Sequence, residues 1–72
     1  MEILIFQTNI KSAENVASIE PVLNNHTHIL NWSIDLEDID NVLRIETTAS
    51  LTEKAVIEMV KEHDFTIEAL AD

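Results

Sequence analysis

The sequence predicts an α+β fold in which two helices cover one face of a four-stranded antiparallel sheet. Apolar residues follow a strand pattern in four segments and a helix pattern in two, in the order βαββαβ. The chain has only 72 residues, and 46% of them are hydrophobic, which is enough for one small core. We therefore expect a single domain over residues 1–72.

Residues 2–8 and about 12–24 are predicted to form the first strand and the first helix. The strand is apolar on both faces, as is typical of a strand in the middle of a sheet. Ser12 is a suitable N-cap, because its hydroxyl can accept a hydrogen bond from a free amide of the first turn. The helix then buries residues spaced three and four apart: Val16, Ile19 and Leu23.

The end of this first helix contains an unfavourable residue. Pro21 removes one backbone hydrogen bond, so we expect a kink or an early end at Glu20. Asn24 and Asn25 follow, and asparagine tolerates the left-handed conformation that commonly ends a helix. The helix is therefore expected to end at this pair.

The second and third strands are predicted over about 28–36 and 42–48, joined by an acidic turn. In the second strand, Trp32 is expected to pack in the core, although a single tryptophan can also anchor a partner. Trp32, Ile34 and Leu36 share one parity of the strand and Ile29 has the other, so we expect a bulge near Asn31. The third strand alternates cleanly, with Leu43 and Ile45 facing the core and Arg44 and Glu46 facing solvent.

The second helix and the fourth strand complete the pattern. Ser50 and Glu53 fit a capping box at the helix start, and the helix is expected to run to about His63. Asp64 stands where a helix-ending glycine is usual, and residues 65–70 form the last strand. Two interlocked right-handed βαβ units in this order give the ferredoxin-like fold. The helix is expected to turn three residues inward: Val56, Ile57 and Val60.

The composition excludes several classes of function. With no cysteine and no glycine, the chain has no thiolate chemistry, no cysteine metal site and no glycine-rich phosphate loop. Its 14 acidic and 4 basic residues give a net charge of -10, which repels nucleic acid. No grouping of serine, histidine and acid is typical of a hydrolase. We therefore expect a protein that is not an enzyme and needs no cofactor.

The N-terminal segment and the hydropathy profile predict where the protein resides. A secretory signal needs a basic start and a longer apolar run than the one that follows Glu2. No segment approaches the roughly 20 apolar residues of a membrane span. The sequence therefore predicts a cytoplasmic protein that makes no membrane contact.

The junction of the first strand and first helix resembles that of the heavy-metal-associated domains, the family of copper chaperones and of the N-terminal modules of copper-transporting ATPases. That family has M-x-C-x-x-C at this junction. Here Ile10 falls at the methionine, Ser12 at the first cysteine and Asn15 at the second. Val16 is the small apolar residue that commonly follows, and 64–65 resembles the family's Gly-Tyr or Gly-Phe pair beneath the metal loop. The resemblance covers the whole chain and implies a degenerate, copper-chaperone-like domain.

Loss of the two cysteines removes the soft-metal chemistry that the resemblance would imply. A serine hydroxyl does not ionise near neutral pH and an asparagine amide is a weak neutral donor, so Ser12 and Asn15 cannot replace two thiolates. The sequence therefore predicts a non-catalytic accessory or protein-interaction module with an unknown protein partner. We expect it to be a monomer or a weak homodimer.

His26 and His28 are the alternative metal ligands. Their alternate spacing puts both imidazoles on one face of a strand, where a third ligand would complete a site for zinc, copper or nickel. His63, at the end of the second helix, is not an obvious neighbour. The competing interpretation is a solvated histidine pair. A metal-ion chaperone that uses histidine or carboxylate ligands is therefore the alternative function.

Two further groups of residues are candidates for binding. The acidic turn has neither the spacing nor the glycine of a calcium loop, so a solvated, charged hairpin is expected. Ile3 and Ile5 alternate with residues that face the helices, so they are expected on the open side of the sheet as an interface with another protein. The carboxylates of the turn are Asp35, Glu37, Asp38 and Asp40.

Overall fold

The computed structural model describes residues 2–70 and contains six elements in the predicted order. The strands are β1 (Glu2–Thr8), β2 (Ile29–Ile34), β3 (Leu43–Thr47) and β4 (Ile67–Ala69), and the helices are α1 (Ala13–Asn24) and α2 (Glu53–Lys61). The strand order is β2-β3-β1-β4, and all neighbouring strands are antiparallel. This is the ferredoxin-like arrangement, so the predicted fold class is confirmed. Neither described helix is long and apolar enough to cross a membrane.

The core lies between the sheet and the two helices. Every residue predicted to face inward from the two helices and from β3 belongs to the core or packs against it. Trp32 of β2 also packs against the core. Half-buried side chains such as Leu4 and Phe65 enclose its margins. Ten buried apolar residues form its centre: Phe6, Ile10, Ile19, Leu23, Leu43, Ile45, Leu51, Val56, Val60 and Ile67.

α1 ends at Asn24 and Asn25, as predicted, but the local geometry of this end differs from the prediction. The helix continues through Pro21 to Asn24, so the early end expected at Glu20 is wrong. Asn25 has φ −89°, so the left-handed conformation expected at the end of this helix is also wrong. The last turn is held by a tertiary contact, because the Trp32 indole N–H donates to Asn24 Oδ1 at 2.8 Å.

The start of α2 also differs from the prediction. The N-cap is Thr52, whose hydroxyl accepts from the Ala55 amide at 3.2 Å, so the capping box expected at Ser50 is wrong. Ser50 lies before the helix, in a turn where its backbone N–H donates to Thr48 Oγ1 at 3.4 Å. At the far end, Asp64 has φ 66° and takes the left-handed position, as predicted.

The bulge expected in the second strand is confirmed. The pairing of β2 with β3 shifts register between Ile29 and Asn31. Leu30 lies within this irregularity and is 56% exposed. Beyond the bulge, Trp32 and Ile34 pair with core residues of β3, so their side chains share the helix-covered face.

Candidate functional site

Three loops meet at one end of the sheet, where β1 ends and where β3 and β4 begin. They comprise residues 9–12, 35–42 and 62–66, and together we call them the loop edge. The Thr8 amide donates to the Asp40 carbonyl at 3.1 Å, which holds the second loop against β1. The third loop is held by the Asn9 side chain, because its Oδ1 accepts from the Thr66 amide at 2.8 Å. The topology therefore brings together loops that are far apart in sequence.

Ser12 and Asn15 lie at the start of α1 on this loop edge. Ser12 Oγ accepts from the Asn15 amide at 3.1 Å, so the predicted N-cap is confirmed. Asn15 Oδ1 in turn accepts from the Lys11 amide at 3.1 Å. The two side-chain oxygens thus satisfy backbone donors of the loop and of the first helical turn. They are neutral oxygen atoms, which soft metal ions bind poorly.

Apolar residues of the first and third loops pack in or against the hydrophobic core. Ile10 is fully buried, and its amide donates to Thr8 Oγ1 at 3.2 Å. Phe65, which follows Asp64 with its positive φ, packs against the core from the third loop. The loop that carries Ser12 is therefore supported from below by the hydrophobic core.

The acidic hairpin uses its carboxylates to shape its own backbone. Asp35 Oδ1 accepts from the amides of Glu37 and Asp38 at 3.0 and 3.2 Å. Asp38 Oδ1 accepts from the Asp40 amide at 2.8 Å. Such contacts form Asx turns, in which the side-chain oxygens accept hydrogen bonds from nearby backbone amides. Ile39, at the tip, is 94% exposed, a feature that the pattern of alternation did not indicate.

His26 and His28 lie at the opposite end of the sheet, where β2 begins. Their ring centroids are 5.9 Å apart, and His26 Nδ1 accepts from the His28 amide at 3.1 Å. Neutral His26 therefore carries its proton on Nε2, which leaves no free lone pair there. His28 Nδ1 lies 2.9 Å from Thr48 Oγ1. Within residues 2–70 no three histidine or acidic side chains are grouped to hold a metal ion.

Ile3 and Ile5 lie on the open face of the sheet, as their alternation predicts. They pair with Glu46 and Arg44 of β3, whose side chains form an ion pair at 2.9 Å on that face. Ile3 is 46% exposed, and Ile5 is half-buried. The neighbouring residue Phe6 points the other way and is fully buried in the core. An interface at the two isoleucines stays a prediction.

The ferredoxin-like fold with its strand-to-helix loop is shared with small copper-binding domains and metallochaperones. The chain superposes on a structure from the Atx1–Cu(I)–Ccc2a complex with a TM-score of 0.85 and 16% identity, covering 100% of this chain and 99% of the other. For a copper-binding domain of HMA7, a P-type ATPase, the TM-score is 0.84 and the identity is 20%, and the match covers 99% of this chain and 96% of the other. For the CsoZ metallochaperone the TM-score is 0.77 and the identity is 13%, and the match covers 93% of this chain and 96% of the other.

These likenesses concern the fold. Sequence identities of 13–20% accompany nearly complete structural overlap, so the backbone is kept while most side chains differ. The sequence matches no model of a protein family and no curated protein. The chain is therefore similar to metallochaperones in architecture, and its own loop residues must indicate its chemistry.

Proposed function

We propose that this chain is a non-catalytic accessory or protein-interaction module of the cytoplasm, built on a metallochaperone-like scaffold that has lost soft-metal binding. The observation that carries the proposal is the use made of Ser12 and Asn15. Both side-chain oxygens accept hydrogen bonds from loop and helix amides, at 3.1 Å in each case. The chain has no cysteine to supply a thiolate elsewhere.

A protein partner is supported by the shape and the chemistry of the surface. One structural neighbour was determined in a complex of two proteins, Atx1 and Ccc2a, with Cu(I). In this chain Ile3 and Ile5 form an apolar strip on the open sheet face. A strip of this kind suits contact with another protein. The proposed module therefore acts through its surface rather than through a reaction.

The test restores the two cysteines. The variant S12C/N15C places C-x-x-C at a helix start, where the helix dipole favours the thiolate form. Both positions lie at or near the surface, so the fold is expected to survive the loss of the Ser12 cap, at about 1 kcal/mol. The reduced double variant should compete with a Cu(I) chelator, whereas the wild type and each single variant should not.

Two outcomes would contradict the proposal. If the folded double variant fails to compete, the two positions do not face one another as a two-cysteine site requires. If the wild type competes equally well, the chain still binds soft metal, and the ligands would have to come from His26, His28 or Met1. Met1 lies outside the described residues.

The second candidate function is a metal-ion chaperone that uses His26 and His28. It is favoured by the 5.9 Å separation of the two rings. Binding through both Nε2 atoms would require His26 to change tautomer and to release the His28 amide. Ni(II) or Zn(II) should then raise the melting temperature of the wild type but not of His28→Ala, with His63→Ala as the control. Equal melting with and without metal would exclude this function.

A further inference from the structure

The open face of the sheet carries four apolar side chains that do not pack against the core. Ile3 is 46% exposed, and Ile5, on the central strand β1, is half-buried. Alternation from buried Leu43 places Val42 on this face. The Leu70 amide donates to the Ile5 carbonyl at 3.0 Å, which continues the β1–β4 pairing and places Leu70 beside Ile5. The face therefore has an apolar centre.

This face carries few of the charged side chains of a molecule whose net charge is -10. The register places one cation and three carboxylates on it: Arg44 with Glu46 and Glu68, and Asp35, whose amide donates to the Val42 carbonyl. Its remaining positions within the paired strands are neutral and polar: Gln7, Asn31 and Ser33. Two copies that meet through this face therefore experience less like-charge repulsion than they would through the acidic loop edge.

The two sides of the face have complementary charges. β1 lies between β3 and β4, so Arg44, which pairs with Ile5, and Glu68, which pairs with Gln7, lie on opposite sides of this strand. A two-fold axis in the interface that is inclined to β1 and passes between Ile5 and Gln7 superposes Arg44 of one copy on Glu68 of the other. Arg44 of each copy then faces the strand that carries Glu68 in the second copy. The surface is thus complementary to itself.

The size of the face limits the strength of such a contact. The Cα extents are 29 × 27 × 18 Å, and the thin dimension is that of a helix layer on a sheet. A flat face of 29 × 27 Å offers at most about 780 Å², compared with roughly 800 Å² per partner in a standard stable interface. Association through this face should therefore be weak and reversible.

We propose that the open sheet face binds a second copy of this chain and forms a weak two-fold dimer. The four apolar residues form its centre, and two reciprocal Arg44–Glu68 ion pairs form its sides. This inference names a partner for the interaction module proposed above. It rests on that proposal only in using the same open sheet face as the contact surface. The Cu(I) competition concerns the loop edge, so its failure would leave the dimer untouched.

The test is a charge exchange followed by sedimentation velocity from about 10 μM to about 1 mM chain. Arg44→Glu and Glu68→Arg each create two like-charge contacts, so each should weaken the wild-type dimer at least about tenfold. An equimolar mixture of the two variants restores both opposite-charge pairs and should dimerise as a heterodimer. The double variant R44E/E68R should restore the homodimer for the same reason.

The matched control for Arg44→Glu is Lys54→Glu, which makes the same change of net charge on the exposed side of α2. It should leave the dissociation constant within about twofold of the wild type. Circular dichroism checks folding, and Ile3→Lys, at a 46% exposed position, replaces any charge variant that does not fold. A monomeric wild type at about 1 mM would overturn the proposal and leave the face to a different protein. Failure of the mixture to associate would overturn it as well.

Discussion

Two buried threonines have opposite relations to their surroundings. Thr8 is 8% exposed, and its hydroxyl donates to the Asn41 carbonyl at 2.7 Å while accepting from the Ile10 amide at 3.2 Å. Thr47 is fully buried on β3, and its hydroxyl has no hydrogen-bond partner among the described residues. A satisfied buried hydroxyl stabilises a fold, whereas an unsatisfied one carries a desolvation cost.

Replacing each threonine by valine separates these effects, because the two side chains have nearly the same shape. Thr47→Val should raise the free energy of unfolding by about 1 kcal/mol, because it removes an unpaired hydroxyl. Thr8→Val should lower it by about 1–3 kcal/mol, because it leaves the Ile10 amide without its acceptor. Urea denaturation measures both changes. A loss of stability in Thr47→Val would show that its hydroxyl has a partner, such as a buried water.

At the candidate site, the sequence predicted the hydrogen bond that joins residues close together in the chain. Ser12 is an N-cap because its hydroxyl and the Asn15 amide are three residues apart, which is a local relation. The bond from the Lys11 amide to the Asn15 side chain was not predicted, because it depends on the path of the loop before the helix. The exposure of Ile39 depends on the shape of the hairpin in the same way.

At the scale of the elements, the helix ends were harder to predict than the helices. Ser50 and Thr52 both have hydroxyls, and the spacing from Ser50 to Glu53 is that of a capping box. In the structure Leu51 is buried and the chain turns at Thr48, and Thr52 is the N-cap of α2. Tertiary packing thus selected Thr52 over Ser50, the candidate that the local capping-box pattern favours.

A pair of alanine substitutions tests the position of this cap. Thr52→Ala should lower the free energy of unfolding by about 1 kcal/mol, because it removes the acceptor of the Ala55 amide. Ser50→Ala is the matched control and should change it by less than about 0.5 kcal/mol. Chemical denaturation of both variants gives the comparison. Equal losses of stability in the two variants would favour the capping box at Ser50 that the sequence predicts.

The end of α1 shows a second limit of local patterns. Pro21 weakens the helix, yet the helix extends to Asn24, where a bond to the Trp32 indole holds its last residue. This partner lies on β2, eight residues later, so the helix pattern alone cannot indicate it. The strand and helix order was predictable because alternation and helical spacing extend over whole segments.

For the whole molecule, the sequence predicted the fold but not how its loops meet. The bonds that assemble the loop edge join residues 33 and 57 positions apart, Thr8 with Asn41 and Asn9 with Thr66. Their donors and acceptors become neighbours only after the sheet has formed. The charge balance, by contrast, is evident from composition, and it determines how the folded molecule responds to salt.

Self-repulsion should make stability depend on ionic strength. The net charge is -10, and Arg44–Glu46 is the only ion pair within residues 2–70. At about 0.01 M salt the screening length is about 30 Å, similar to the longest extent of the chain, so the carboxylates repel one another throughout the molecule. We expect the melting temperature at neutral pH to rise between low and moderate salt, as followed by circular dichroism.

Neutralising single charges shows whether the acidic hairpin contributes to this repulsion. Glu37→Gln removes one negative charge, and only the backbone amide of Glu37 takes part in the hairpin's hydrogen bonds described above. It should raise the melting temperature at low salt and reduce its dependence on salt, because less repulsion remains to be screened. Lys54→Gln makes the opposite change of net charge and should increase that dependence. If the melting temperature of the wild type falls or stays constant with added salt, repulsion among the carboxylates does not limit the stability of this fold.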